Sequence, residues 1–213
     1  MKNRNILNDL EARYPALAES TVALEALIDT LVSTYENGGK LLAAGNGGSG
    51  ADADHIVGEL MKGFCRRRPL SDEKKAALIA ADPVRGKHLA EILQQGLPAI
   101  ALTGHAALST AFSNDCDPNA VFAQQVLGYG RAGDALLVIS TSGNAENLML
   151  AVTVAKAMGI HTALLTGAVG GKLAGVCDTV IRVSETETYK VQEYHLPLYH
   201  ALCLAIEDAF FPQ

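Results

Sequence analysis

The chain is poor in aromatic residues, 5% of its 213, and short of basic charge, with 17 Lys and Arg against 23 Asp and Glu. A formal charge of −6 and an isoelectric point near 5.5 argue against a nucleic-acid partner, because phosphate backbones are held mainly by clustered cations. The one basic run, Arg66-Arg67-Arg68, reads as a solvated turn. Long apolar runs are missing too. None approaches the ~20 residues that span a bilayer, and the polar stretch Met1-Lys2-Asn3-Arg4-Asn5 lacks the apolar core of a signal peptide. A cytoplasmic location with no membrane partner is therefore expected. Cysteine is sparse and scattered: Cys65, Cys116, Cys177 and Cys203 form no C-x-x-C pair, which argues against a disulfide framework or a thiolate zinc site and leaves them as core residues.

What the chain does have is 49% hydrophobic residues, mostly Leu, Ala, Val and Ile, enough for one globular domain over residues 1–213. Residues 3–14 carry Ile6, Leu7, Leu10 and Tyr14 at helical spacing, and Leu24, Leu27, Ile28, Leu31, Val32 and Tyr35 form a second helical stripe that Asn37-Gly38-Gly39 ends. Two such helices over residues 1–39 need a cover, either a neighbouring subunit or the chain's own sheet. Residues 41–45 are a short apolar run fit for a buried strand. Further strand candidates follow at 98–103, 135–140, 161–166 and 179–184, with helices between them, notably 118–127 capped by Asp117 and 145–158. Alternating strands and helices predict an α/β three-layer sandwich around a parallel five-stranded sheet, with ligands beyond the carboxyl ends of the strands. Residues 70–96 read instead as a helical insertion, with Ser71 as cap and Asp82-Pro83 starting its second helix. The last segment, 186–211, reads as one long, largely buried helix that should kink or restart at Pro197.

Two turns stand out. Gly45-Asn46-Gly47-Gly48-Ser49-Gly50 follows the first strand and opens a helix expected to run to about Cys65, which places bare backbone N–H groups where an anion can bind. No acidic residue closes a following strand, so the dinucleotide fingerprint is not met. His55 and Glu59 lie four apart, on one face of that helix about a turn beyond the anion site. Ser140-Thr141-Ser142-Gly143-Asn144 repeats the strand-to-helix arrangement with three hydroxyls. These are donors for a phosphate monoester, or ordinary helix caps. Gln192 and His200 lie about 80° apart on the last helix and can face one cleft, whereas His195 falls on another part of the wheel.

These motifs together resemble the phosphoheptose isomerases of the sugar isomerase (SIS) domain family. The likeness is carried by Gly45 to Ser49 with His55 and Glu59, by Asn114-Asp115, by Gly133-Asp134 leading to Ser140–Asn144, by Thr166-Gly167 with Gly170-Gly171-Lys172 and Ala174-Gly175, and by Val191-Gln192-Glu193 with His195 and His200. The resemblance implies a SIS fold of flavodoxin or Rossmann type. It also implies an aldose–ketose isomerase converting sedoheptulose 7-phosphate to a manno-heptose 7-phosphate, working as a homotetramer with sites between subunits. By the same resemblance Asn46, Gly47 and Gly48 line the sugar phosphate, Ser49, Ser140, Thr141 and Ser142 hold its phosphate, and Asn114 and Asp115 meet its hydroxyls. Glu59 is the implied general base and His200 the general acid, while His55, Glu59, Gln192 and His200 match zinc ligands of some members. The residue types suit an enediol mechanism, and an N2O2 zinc site is chemically reasonable. A base that is also a saturated metal ligand is in tension with itself.

Three features depart from the family pattern: Ala145 stands where a serine helps bind phosphate, Pro197 sits between Gln192 and His200, and the 70–96 insertion is long. Two alternatives remain open at this point. One is a non-catalytic SIS protein that associates with a replication initiator, a branch that lacks the acid and the histidine retained here as Glu59 and His200. The other is a SIS isomerase or sensor for a different sugar phosphate.

Overall fold

The structure is a computed structural model that describes residues 4–212. Five short strands form the centre: β1 (Leu41–Gly45), β2 (Ala99–Ala101), β3 (Ala135–Ser140), β4 (His161–Thr166) and β5 (Thr179–Arg182). All pairs are parallel and the order is β2-β1-β3-β4-β5, the flavodoxin-like order. β1 and β3 are buried along their whole length, which is why their sequences are continuous apolar runs rather than alternating ones.

Successive residues of these strands feed opposite faces of the sheet. Leu41, Ala43, Leu137, Ile139, Ala163 and Leu165 join one core with the helices α1 (Arg4–Arg13), α2 (Thr21–Glu36), α3 (Gly48–Met61) and α9 (Thr188–Phe210). Leu42, Ala44, Leu136, Val138 and Leu164 join a second core with α7 (Val121–Tyr129) and α8 (Glu146–Ala157). The expected three-layer sandwich is present. The stripe Leu24, Leu27, Ile28 and Leu31 of α2 is covered within the chain, by the sheet and α9.

Several boundaries differ from expectation. The first helical segment is predicted from residue 3, which lies outside the described residues. A helix not predicted, α6 (Ala106–Asp115), follows β2, and it buries no residue, so no apolar periodicity marks it. The insertion folds as two helices, α4 (Asp72–Ala81) and α5 (Arg85–Ile92), packed mainly on each other. Ser71 caps α4 by accepting the Lys74 N–H, and a lone antiparallel bridge, Pro69 to Gln94, closes the hairpin's base. The last helix does not restart at Pro197. It runs unbroken from Thr188 to Phe210, because Leu198, Tyr199, Leu202 and Ile206 are all buried on the core beyond the proline. Cysteine burial is a further correction: Cys203 is buried, Cys177 is half-buried, and Cys65 and Cys116 are exposed, on a loop and at a helix end where no core lies over them.

The basic run is not a solvated turn. Arg68 is fully buried against Glu207 at 2.8 Å, both side chains 0% exposed, and Arg66 pairs with Asp208 and donates to the Phe211 carbonyl. Arg68 also donates to the carbonyls of Leu60 (2.7 Å) and Glu59 (3.1 Å), which the end of α3 leaves without helical partners. Glu207 in turn accepts the N–H groups of Phe64 and Cys65, each at 2.8 Å. That pull on residues 64 and 65 explains why α3 stops at Met61 rather than near Cys65.

Candidate active site

β1 and β3 are neighbours in the sheet, so the two motif turns that follow them lie side by side at its carboxyl edge. Gly47 takes the left-handed region (φ 54°), and α3 begins there with no side-chain cap. At the next residue, a Cβ on Gly48 would fall 2.5 Å from the Gln192 amide nitrogen, so the Gln192 side chain on α9 lies directly over the turn and a larger residue at 48 would displace it. The second helix of the pair, α8, also begins without a side-chain cap, at Ala145. At the start of α3, Ser49 N–H donates to the Asn46 carbonyl (3.1 Å) and Gly50 N–H to the Gly47 carbonyl (3.0 Å), which leaves the Gly48 N–H free beside the first N–H groups of α8, the kind of donors an anion needs.

The hydroxyls of the second turn serve both readings considered for them. Ser140 Oγ accepts the Gly143 N–H (3.1 Å) and Ser142 Oγ accepts the Asn144 N–H (3.3 Å), so both act as local caps. Each keeps its own O–H proton for a ligand. The turns are joined directly by a reciprocal amide pair: Asn46 Nδ2 donates to Asn147 Oδ1 at 3.0 Å, and Asn147 Nδ2 donates to Asn46 Oδ1 at 2.8 Å. The sequence alone does not single out Asn147, although it lies on the first turn of α8, where its side chain can meet the cleft.

Further along α3 from the glycine turn, Glu59 is 13% exposed. Its Oε1 faces His55 Nε2 at 3.4 Å and its Oε2 accepts Lys62 Nζ at 3.0 Å. The His200 ring stands edge-on to His55, with centroids 5.2 Å apart and planes at 87°, and it also packs against Phe64 and Tyr199. His200 Nε2 is buried without a partner. Burial and the nearby His55 hold the His200 ring below the ordinary histidine range, with the Glu59 charge opposing them. His200 is therefore a neutral imidazole near pH 7. His195 is a core residue, as its place on the helical wheel suggests: it is fully buried, and burial pushes it down to about 4.

Glu59, His55 and His200 thus form one cluster on α3 and α9, while Gln192, farther back on α9, lies against Gly48 in the turn that also carries Asn46, Gly47 and Ser49; Ser140, Thr141 and Ser142 stand in the neighbouring turn. Asn114 and Asp115 do not join them. They stand exposed at the end of α6, where Asn114 Nδ2 donates to Asp115 Oδ1, and no hydrogen bond ties them to either turn among the described residues. For a metal, the donor chemistry of His55, Glu59, Gln192 and His200 suits zinc, and the unpartnered His200 Nε2 is an available ligand atom. Among the described residues, however, no three His, Cys, Asp or Glu side chains converge as a metal group, since both Glu59 oxygens already face cations or His55. Nor, among those residues, is any helix long and apolar enough to cross a membrane.

Comparison with known proteins places this geometry. The family model described as "SIS domain" matches residues 7–82 and 75–167. A phosphoheptose isomerase of Aneurinibacillus thermoaerophilus is 37% identical over 209 residues, 97% of this chain and 92% of that protein. One from Rhodospirillum rubrum is 37% identical over 92% of this chain and 86% of its own length. Among solved structures, a phosphoheptose isomerase from Francisella tularensis superposes with a TM-score of 0.72 at 31% identity, covering 95% of this chain and 98% of that one. The enzyme of the same name from Neisseria gonorrhoeae gives 0.70 at 32% identity, over 97% and 93%.

Proposed function

The chain belongs to the SIS domain family, among its phosphoheptose isomerases, and from that premise we infer that it is an aldose–ketose isomerase converting sedoheptulose 7-phosphate to the manno-heptose 7-phosphate. The observation that carries this reading is the cluster of Glu59, His55 and His200 on α3 and α9, the same two helices that meet at the glycine turn where Gln192 lies over Gly48.

In this reading the phosphate is held by the Gly48 N–H, by the first N–H groups of α8 and by the hydroxyls of Ser49, Ser140, Thr141 and Ser142. Ala145 offers no side-chain donor, so the backbone of α8 carries that share. Glu59 removes a proton from C1 of the ketose, the electrons of the broken C1–H bond form the C1=C2 double bond, and the carbonyl π pair moves to O2, which takes a proton to give the enediol. The same carboxyl returns a proton to C2, while His200 donates to the oxygen that gains a proton and accepts from the oxygen that loses one. His200 is neutral, so it acts as a hydrogen-bond donor and shuttle at these oxygens rather than as a standing cation.

Zinc is part of the proposal, with His55, Glu59, Gln192 and His200 as its candidate ligands; Glu59 would have to keep one carboxylate oxygen, and His200 one ring nitrogen, for the proton steps. When bound it would polarise the substrate oxygens as a Lewis acid. A homotetramer with sites between subunits is also proposed. It would give the exposed Asn114 and Asp115 a sugar to meet, and light scattering of the pure protein reads its mass. Conversion of sedoheptulose 7-phosphate, followed by NMR with metal content measured on the same sample, tests the function. Turnover with about one zinc per chain, lost in His55→Ala, is expected. No conversion with or without zinc would favour the binding-protein reading.

A second prediction arises from the reciprocal amide pair. Asn147→Ala removes both hydrogen bonds that hold Asn46 and tie the turns together, a loss of about 1–1.5 kcal/mol. KM for the sugar phosphate should rise roughly tenfold, with kcat changed less, in steady-state kinetics. An unchanged KM would remove Asn147 from substrate positioning.

A further inference from the structure

Behind the Glu59–His55 pair lies a group that the reaction above does not use. The Tyr199 hydroxyl sits 3.0 Å from His55 Nδ1 and 3.3 Å from Asp52 Oδ1. Tyr199 is 3% exposed and packs edge-on to both the His55 and His200 rings. Asp52 lies one turn before His55 on α3, and its second oxygen, Oδ2, is buried without a partner. Tyr199 is therefore the group through which this carboxyl reaches the rest of the site.

The His55 side chain is 42% exposed, with the Tyr199 and His200 rings packed edge-on against it. That packing leaves the choice of tautomer to the contacts of the two His55 nitrogens. Nε2 faces Glu59 Oε1 at 3.4 Å, too long for a good hydrogen bond, while Nδ1 is at a normal distance from the Tyr199 oxygen. The stronger contact is therefore on the Tyr199 side. Histidines at working sites are commonly oriented from the second nitrogen in this way, by an outer partner that also selects the tautomer. Here the outer partner is a phenol backed by a carboxyl.

We propose that Tyr199, backed by Asp52, is a positioning residue that fixes the ring orientation and tautomer of His55 and so aims Nε2 at Glu59. The kinetic part of this proposal rests on the isomerase reading; the structural part does not. Tyr199→Phe keeps the ring packing and removes only the hydroxyl, so it separates positioning from core filling. The variant should fold, with kcat lowered about tenfold and KM within about twofold of the parent, as outer partners of this kind contribute. Long-range proton–nitrogen NMR of histidine-labelled protein should show one His55 tautomer in the parent and a mixture in the variant. Should Tyr199→Phe fail to fold, Asp52→Asn is expected to shift the same two readouts in the same direction, less strongly. A His55 pattern identical to the parent's overturns the proposal, whatever happens to kcat. Absence of turnover in the parent would sink the isomerase reading while leaving the NMR comparison to decide on Tyr199.

Discussion

Glu59→Gln is expected to lower kcat for isomerisation by about a thousandfold while leaving the dissociation constant for sedoheptulose 7-phosphate within about threefold. The substitution keeps the shape of a side chain that is only 13% exposed, and it does not touch either phosphate turn. It removes the capacity to accept a carbon-bound proton, which an amide lacks. The end of α3 should stay in place, since Arg68 holds it through the main-chain carbonyls of residues 59 and 60 rather than through the Glu59 side chain. Steady-state rates, calorimetric titration and a circular dichroism spectrum together check the expectation. Retained turnover would take Glu59 out of the mechanism; lost binding would make it a structural contact instead.

The second large effect concerns stability. Arg68→Ala leaves the Glu207 carboxylate buried without its cation and removes a donor from the Glu59 and Leu60 carbonyls, the latter keeping the Leu97 N–H, a loss of about 3–5 kcal/mol. For a chain of this size that lowers the melting temperature by roughly 10 °C. Glu207→Gln should be milder, because its amide oxygen can still accept from Phe64 or Cys65. The pH dependence has a definite sign. Burial raises the Glu207 carboxyl, but the N–H groups of Cys65 and Phe64 and the Arg68 guanidinium outweigh it and hold the carboxyl below its ordinary range. Its contribution is therefore complete above the unfolded value of about 4.3, and it is lost as pH falls through the lower folded value. Thermal melts from neutral to acid pH should show a steeper acid loss in the parent than in Glu207→Gln. Because the pair holds the last turn of α3, Arg68→Ala should also reduce kcat at temperatures where the variant remains folded.

The parts legible in the sequence are those set by local pattern. Continuous apolar runs mark β1 and β3, glycine and hydroxyl residues mark the two candidate anion-binding turns, and the four-residue spacing puts His55 and Glu59 on one face. What stays hidden depends on polar groups that meet only through the tertiary fold. Arg68 and Glu207 are 139 positions apart, and nothing in Arg66-Arg67-Arg68 distinguishes the buried arginine from its neighbours. Asn46 and Asn147 are 101 apart, and their pairing requires β1 and β3 to be adjacent, which strand order alone decides. Tyr199 is closer to view. It follows Gln192 by seven residues, about two helical turns, and so shares the face already assigned to the site. Helix α6 carries no signal, because it buries nothing, and Asn114 and Asp115 at its end remain outside the cleft of a single chain.

The turn after β1 is legible as an anion site, but its meaning comes from what the fold brings to it: α8 from one side, and Gln192 and His200 on α9 from the other. The most direct test of that assembly is isomerisation run in deuterium oxide with the parent protein and sedoheptulose 7-phosphate. Formation of a heptose 7-phosphate carrying solvent deuterium at C2, seen by NMR and abolished in Glu59→Gln, is the predicted result. Neither product nor exchange at C1 of the ketose, with zinc supplied and with zinc withheld, would contradict it.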